Sequence, residues 1–158
     1  PVWSPDGSRL SFTNHTDVFL MDLSKPWSEQ ALQKLPKIEQ GTHYVPWDWS
    51  PDGKKFAVTF GPPNTGGGYV SLETQQFGRF NDVAGSIPSW LPDSNHMVYA
   101  QGNSVFVTNI QDLRSRKLLT AIDGDPRSPF VSRDGKLLYY VVHRGESDIW
   151  LLDLTEQN

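Results

Sequence analysis

The chain has 158 residues, a formal net charge of −4 and a pI near 5.5. Its 14 basic residues are scattered, which argues against a nucleic-acid partner, because proteins that bind nucleic acids carry a basic patch or a high pI. There is no cysteine, which excludes disulfides and thiolate metal sites, and no apolar run approaches the ~20 residues of a membrane-spanning helix.

The chain begins with a turn motif between two strands. Trp3 stands immediately before Ser-Pro-Asp-Gly at 4–7. In such a turn proline presets φ, aspartate bonds to nearby backbone and glycine takes a positive φ. Leu10 and Phe12 then alternate with polar residues, which predicts a strand with one face in a core.

Two further strands are predicted in this first segment. One covers Val18 to Leu23, and an outer strand covers Leu32 to Leu35. Residues 28–35 also have the spacing of a short helix, but the register with the later segments favours a strand.

The second segment, over 43–80, repeats this order. Its matching elements are Trp49, the turn at 50–53, Phe56 and Val58 on one strand face, and strands over 69–73 and 77–80. Gly66 to Gly68 lacks the Lys-Ser or Lys-Thr that follows a phosphate-binding loop. We interpret these three glycines as a flexible loop.

Two more copies of the motif follow, each with one change in the turn. The turn at 91–94 has lost its glycine and the turn at 132–135 has lost its proline, whereas all four copies keep the aspartate. The third copy adds Trp90, Met97, Tyr99 and strands over 105–110 and 117–120; the fourth adds Val131, Leu138, Tyr140 and a strand over 149–154.

The turns begin at 4, 50, 91 and 132, so the copies follow one another at intervals of 46, 41 and 41 residues. Such a period is typical of a four-stranded propeller blade. With Pro-x-Trp before the turn and Ile-Trp-Leu-Leu-Asp-Leu at 149–154, the pattern resembles TolB-like β-propeller repeats over essentially the whole chain. We therefore expect an all-β propeller of four blades of four-stranded antiparallel sheets, at about 1–36, 43–80, 85–120 and 126–158, the last lacking its outer strand.

The resemblance also implies where the tryptophans lie and how the chain assembles. Trp3, Trp49 and Trp90 are expected to pack between blades, near the rim that carries the aspartate turns. Propellers of this family usually have six to eight blades, so the resemblance predicts half of a larger ring or a homodimer that completes one. A closed ring of four blades is the alternative. Open end blades would expose apolar faces.

Candidate binding residues lie in the connections between blades, which the resemblance places on the rim opposite the aspartate turns. Variable loops on a rigid frame commonly carry binding sites. The candidates are His43, Asp82, Asp125 and Arg127, although a locally bonded histidine and solvated loop charges would also explain them. No catalytic residue, metal site or cofactor is predicted, since there is no Gly-x-Ser-x-Gly elbow and no metal-ligand spacing.

TolB-like repeats occur in periplasmic scaffolds, in sensor domains, in propellers attached to serine peptidases and in some metal-dependent sugar lyases. The resemblance therefore says more about fold than about function. We expect a non-enzymatic scaffold that binds a protein or peptide through its inter-blade rim, in the periplasm or elsewhere outside the cytoplasm. The alternatives are the propeller portion of an enzyme and the sensor module of a larger signalling protein.

Overall fold

The computed structural model describes residues 1–14, 16–38, 42–62, 65–83 and 86–145. Their strands form antiparallel sheets in which consecutive strands are neighbours, and this meander is the predicted blade. The first sheet contains β1 (Val2–Trp3), β2 (Arg9–Thr13), β3 (Val18–Asp22) and β4 (Gln33–Lys34). The second contains β5 (Tyr44–Trp49), β6 (Lys55–Phe60), β7 (Gly66–Ser71) and β8 (Phe77–Arg79).

The third sheet is also four-stranded, and the described part of the fourth has two strands. The third contains β9 (Ser89–Trp90), β10 (His96–Gln101), β11 (Ser104–Asn109) and β12 (Ser115–Thr120); the fourth contains β13 (Asp125–Val131) and β14 (Leu138–His143). The strand predicted over 149–154 lies outside the described residues. In the first blade, the segment with helical spacing forms one 3-10 turn at Trp27–Glu29 and then the expected outer strand β4.

Each blade turns between its first two strands through a hydrogen-bonded motif. In the first blade the Gly7 N–H donates to the Ser4 carbonyl at 2.9 Å, and Gly7 has a φ of 72°. The Ser4 hydroxyl donates to Asp6 Oδ1 at 2.6 Å and accepts the Arg9 N–H at 2.8 Å. The same 2.6 Å serine-to-aspartate bond forms in two later turns, between Ser50 and Asp52 and between Ser132 and Asp134. The serine therefore ties the turn to the start of the second strand.

The four blades follow one another around their innermost strands. β1 contacts β5, β5 contacts β9, and β9 contacts β13. One apolar cluster joins the first two blades, with Leu20 of β3 among Trp49, Phe56 and Val58. A second cluster joins Ala57 of the second blade to Trp90 and neighbours in the third. The core of the molecule therefore lies between blades.

The tryptophan prediction is confirmed for two residues and wrong for the third. Trp49 and Trp90 are only 4% and 3% exposed. The preceding blade places a cation over each ring, with the Arg9 guanidinium 5.1 Å from the Trp49 ring centre and the Lys55 ammonium 5.6 Å from that of Trp90. Trp3 is 60% exposed, because no blade among the described residues packs on it as the first blade packs on Trp49.

The glycine run is part of a strand, so its interpretation as a flexible loop is wrong. Gly66, Gly67 and Gly68 pair in register with residues of β6. A Cβ on Gly68 would collide with the Gly78 carbonyl oxygen and the Phe60 ring. At Gly68, glycine is present because neighbouring strands and rings leave no room for a side chain. Gly66 also has a φ of 135°, which favours glycine.

Candidate functional site

Two of the predicted binding residues lie together on the fourth blade, on a strand and not in a loop. Asp125 pairs with His143 and Arg127 pairs with Val141, which places both in β13. Residues two apart on a strand point to the same side of the sheet. Both side chains are exposed, and neither forms an ion pair with a described residue. Their positive and negative charges are therefore free to meet a partner.

These two residues line a groove of about 360 Å³ between the third and fourth blades. The lining also includes Val83, Ser86, Ile87, Ala100, Gln101, Gly102, Pro126 and Ser128. Hydrogen bonds hold one wall, since the Asn81 amide donates to the Ser86 hydroxyl at 3.1 Å and accepts the Gly67 N–H at 2.8 Å. These hydrogen bonds tie the wall to β7.

The other two predicted residues lie outside this groove. Asp82 is in the connection before Val83, and its carbonyl accepts a 3.2 Å hydrogen bond from the Thr65 hydroxyl. The His43 carbonyl accepts the Gly61 N–H at 2.9 Å, and the His43 ring fills the space where a Gly61 side chain would stand. Asp82 therefore adjoins the groove, whereas His43 is packed at the start of β5.

A second concavity, of about 460 Å³, lies at the other end of the innermost strands, where the aspartate turns begin. All four blades contribute to it through equivalent positions of the repeat. Its lining is Trp3, Pro5, Asp48, Trp49, Pro51, Trp90, Pro92, Phe130, Val131, Ser132 and Arg133. We call this concavity the turn-side cleft.

One carboxylate in the turn-side cleft connects two blades. Asp48 Oδ2 accepts the Trp90 N–H at 2.7 Å and the Ser89 hydroxyl at 2.9 Å, and Asp48 Oδ1 accepts the Trp49 N–H at 2.9 Å. Desolvation raises the pKa of Asp48, against the lowering effect of these hydrogen bonds. No described cation forms an ion pair with Asp48.

Sequence reasoning missed Asp48, although its repeat position carries a signal. It is the middle residue of Trp47-Asp48-Trp49, and the equivalent residues in the other blades are Val2, Ser89 and Phe130. A β-bulge at Trp47, between Pro46 and Asp48, shifts the register of β5 on β6. An acidic residue at a repeat position that is uncharged in the other three blades would have indicated the turn-side cleft.

The described residues contain no group of three or more His, Cys, Asp or Glu arranged to hold a metal ion. Within the same residues, no helix is long and apolar enough to cross a membrane. The groove between the third and fourth blades carries a pair of opposite charges without described ion-pair partners, and the turn-side cleft carries a carboxylate beside aromatic rings. Both arrangements suit recognition of a ligand.

No protein-family model matches the chain, and no curated protein matches it in sequence. Solved structures do match its fold. TolB from Acinetobacter baumannii superposes with a TM-score of 0.71 at 21% identity, over 94% of this chain. The fold is that of TolB-like propeller blades.

A protein assigned as TolB from Agrobacterium tumefaciens superposes similarly, with a TM-score of 0.73 at 19% identity over 89% of this chain. A prolyl endopeptidase structure superposes less closely, with a TM-score of 0.57 at 16% identity over 86% of this chain. This chain covers 38% and 52% of the two TolB chains and 26% of the endopeptidase chain. The chain therefore corresponds to a partial propeller.

Proposed function

We propose that this chain is a non-enzymatic scaffold that binds a protein or peptide segment in the groove between its third and fourth blades. The observation that carries the proposal is the pair Asp125 and Arg127, which are exposed, uncompensated and on one side of β13. Opposite charges at fixed positions on one strand favour a ligand whose own charges are complementary to them, with a cation facing Asp125 and an anion facing Arg127.

The groove also has the composition of a ligand site. Val83, Ile87 and Ala100 supply apolar surface, and the charged pair supplies orientation. Binding sites commonly combine a mainly apolar lining with a few placed polar groups. A volume of about 360 Å³ accommodates a few side chains of a peptide or of a protein segment.

The test uses peptides selected from a random displayed library against the folded chain. Their binding is mapped by backbone amide chemical shifts and measured by titration. We expect shifts at Ser86 and Gln101, and a loss of about tenfold or more in affinity on Arg127→Ala. Lys136→Ala is the matched control, since it removes an exposed cation on the turn-side rim. Peptides that bind Arg127→Ala as tightly as the wild type would overturn the proposal.

We further infer that the chain completes a ring by pairing with a second copy. Trp3 is 60% exposed, whereas its equivalents Trp49 and Trp90 are buried by a preceding blade. At the other end, Tyr139 is 55% exposed, whereas the equivalent Ala57 is fully buried by the next blade. Two-fold pairing would bring both kinds of open face together and is the commonest symmetry of homo-oligomers.

Sedimentation at micromolar concentration tests this assembly. We expect a concentration-dependent dimer, and a shift to monomer on Trp3→Glu, because the charge would be buried in the junction. Trp27→Glu is the control, as Trp27 is 82% exposed on the outer part of the first blade. A wild-type chain that stays monomeric at all concentrations would favour a closed ring of four blades.

The superposition with a prolyl endopeptidase supports a second candidate, the propeller portion of a peptidase. On the scaffold proposal, the isolated chain turns over neither peptides nor oligosaccharides. Turnover of a peptide substrate that is abolished by His43→Ala would instead favour the enzyme. An extracytoplasmic location is part of the scaffold proposal and is tested by fractionating cells that produce the protein.

A further inference from the structure

The turn-side cleft holds a carboxylate whose charge nothing in the described residues balances. Asp48 is partly buried and accepts three hydrogen bonds, all from neutral donors. Removing a carboxylate from water is energetically unfavourable unless a cation lies beside it. No described cation forms an ion pair with Asp48. Arg9 lies over the Trp49 ring and Lys55 lies over the Trp90 ring, and Arg133 lines the cleft without pairing with Asp48.

The carboxylate also has room for one more donor. A carboxylate offers about four lone-pair positions. Oδ2 of Asp48 accepts two hydrogen bonds and Oδ1 accepts one, from the Trp49 N–H. Oδ1 is therefore the atom that an incoming N–H would meet.

Four of the eleven residues that line the cleft are aromatic, and the others include three prolines, Val131, Ser132 and Arg133. Phe130 lines it and is 52% exposed, so its ring is open to a ligand. Guanidinium groups stack well on aromatic faces. The fold already uses this contact, with Arg9 over Trp49 and Arg79 4.7 Å from the centre of the Phe60 ring.

We propose that the turn-side cleft binds the arginine side chain of a peptide, with the guanidinium donating to Asp48 and stacking on Phe130. This site is separate from the groove of the proposed function, because Asp125 and Val131 stand at opposite ends of β13 and line different concavities. A cation here offsets the desolvated charge of Asp48 and leaves its inter-blade hydrogen bonds in place.

The test compares two probes that differ only in charge. N-acetyl-arginine amide and N-acetyl-citrulline amide have nearly the same shape, but the citrulline urea is neutral. We expect the arginine probe to change the backbone amide chemical shifts of Trp49 and Trp90. Its affinity should exceed that of the citrulline probe by about tenfold or more, which corresponds to one charge-assisted hydrogen bond. Equal binding of the two probes, or shifts confined to the Asp125 groove, would overturn the proposal.

Two variants locate the site. Asp48→Asn keeps the side-chain shape and should reduce arginine affinity to the level of citrulline. Glu73→Gln makes the same charge change on an exposed turn and should leave affinity unchanged. Should Asp48→Asn fail to fold, Phe130→Ala removes an exposed ring of the cleft and should weaken arginine binding several-fold. Wild-type affinity in folded Asp48→Asn, or in Phe130→Ala, would contradict the assignment.

Discussion

The hydroxyl of Ser94 in the third blade accepts a 3.0 Å hydrogen bond from the backbone N–H of Asp52 in the second blade. Ser94 stands where the other three turns have glycine, and it keeps the positive φ of that position, at 57°. A non-glycine residue in this conformation costs about 1 kcal/mol. The hydrogen bond between blades therefore offsets the strain of the turn.

This balance predicts different outcomes for two substitutions at one position. Ser94→Ala keeps the strained backbone and loses the hydrogen bond, so the free energy of unfolding should fall by about 1 kcal/mol. Ser94→Gly loses the same bond but relieves the strain, and should be close to neutral. Urea unfolding of both variants measures the difference. A more stable alanine than glycine variant would contradict the explanation.

Trp49→Ala should lower the free energy of unfolding by about 3–5 kcal/mol, because it removes a buried side chain from the junction of two blades. The matched control is Trp27→Ala, which removes a ring that is 82% exposed and should cost less than about 0.5 kcal/mol. Thermal and urea unfolding measure both variants. A loss below about 1 kcal/mol for Trp49→Ala would mean that this ring is not part of the core.

Gly68→Ala should destabilise the second blade by about 1–3 kcal/mol, because the new methyl group collides with the backbone of β8. Gly145→Ala is the control, since no described atom outside its chain neighbours lies within 4 Å of the methyl group it would carry. Urea unfolding of the two variants measures the difference. Equal stability would show that β7 can move away from β8 without cost.

The turn aspartates predict how stability depends on pH. The Ser4 hydroxyl and then the Ser8 N–H, both donating to Asp6, lower the pKa of this carboxyl from 3.8 to about 2. A folded-state pKa below the unfolded value adds stability that is complete above about pH 4 and is lost as the pH falls through about 2. The stability difference between wild type and Asp6→Asn should therefore shrink over this range.

The carboxyl resonance of Asp6, followed by NMR titration, reports the same pKa directly. Ser4→Ala removes the main cause of the shift and should raise the pKa toward its ordinary value. An unchanged pKa in this variant would mean that the serine is not what stabilises the ionised carboxylate.

The turns and their order in the chain could be predicted because their chemistry is local. Pro5, Asp6 and Gly7 act within a span of a few residues, and Ser4 bonds no further than Arg9. The alternating apolar residues after each turn predicted the second strands for the same reason. Even where Ser94 replaces glycine, the turn forms, since the aspartate before it still accepts backbone N–H groups.

The errors all involve contacts between strands or between blades, which the local chemistry of the turns does not set. Gly68 looks like part of a loop until β8 and the Phe60 ring are seen to exclude a side chain. Asp125 and Arg127 look like loop charges until β14 pairs with them. Trp3 occupies the same repeat position as the buried Trp49 and Trp90, but no blade among the described residues covers it.

The sequence by itself determined the repeat, the turns and the strand order, because each depends on contacts within one blade, and the period of the repeat indicated the propeller fold. Only the tertiary structure decided which surfaces are grooves and which charges are left unpaired. Asp48 and Ser89 are 41 residues apart and meet because their blades are adjacent. Contacts between blades depend on how whole sheets stack, and the spacing of residues within one repeat carries no record of that.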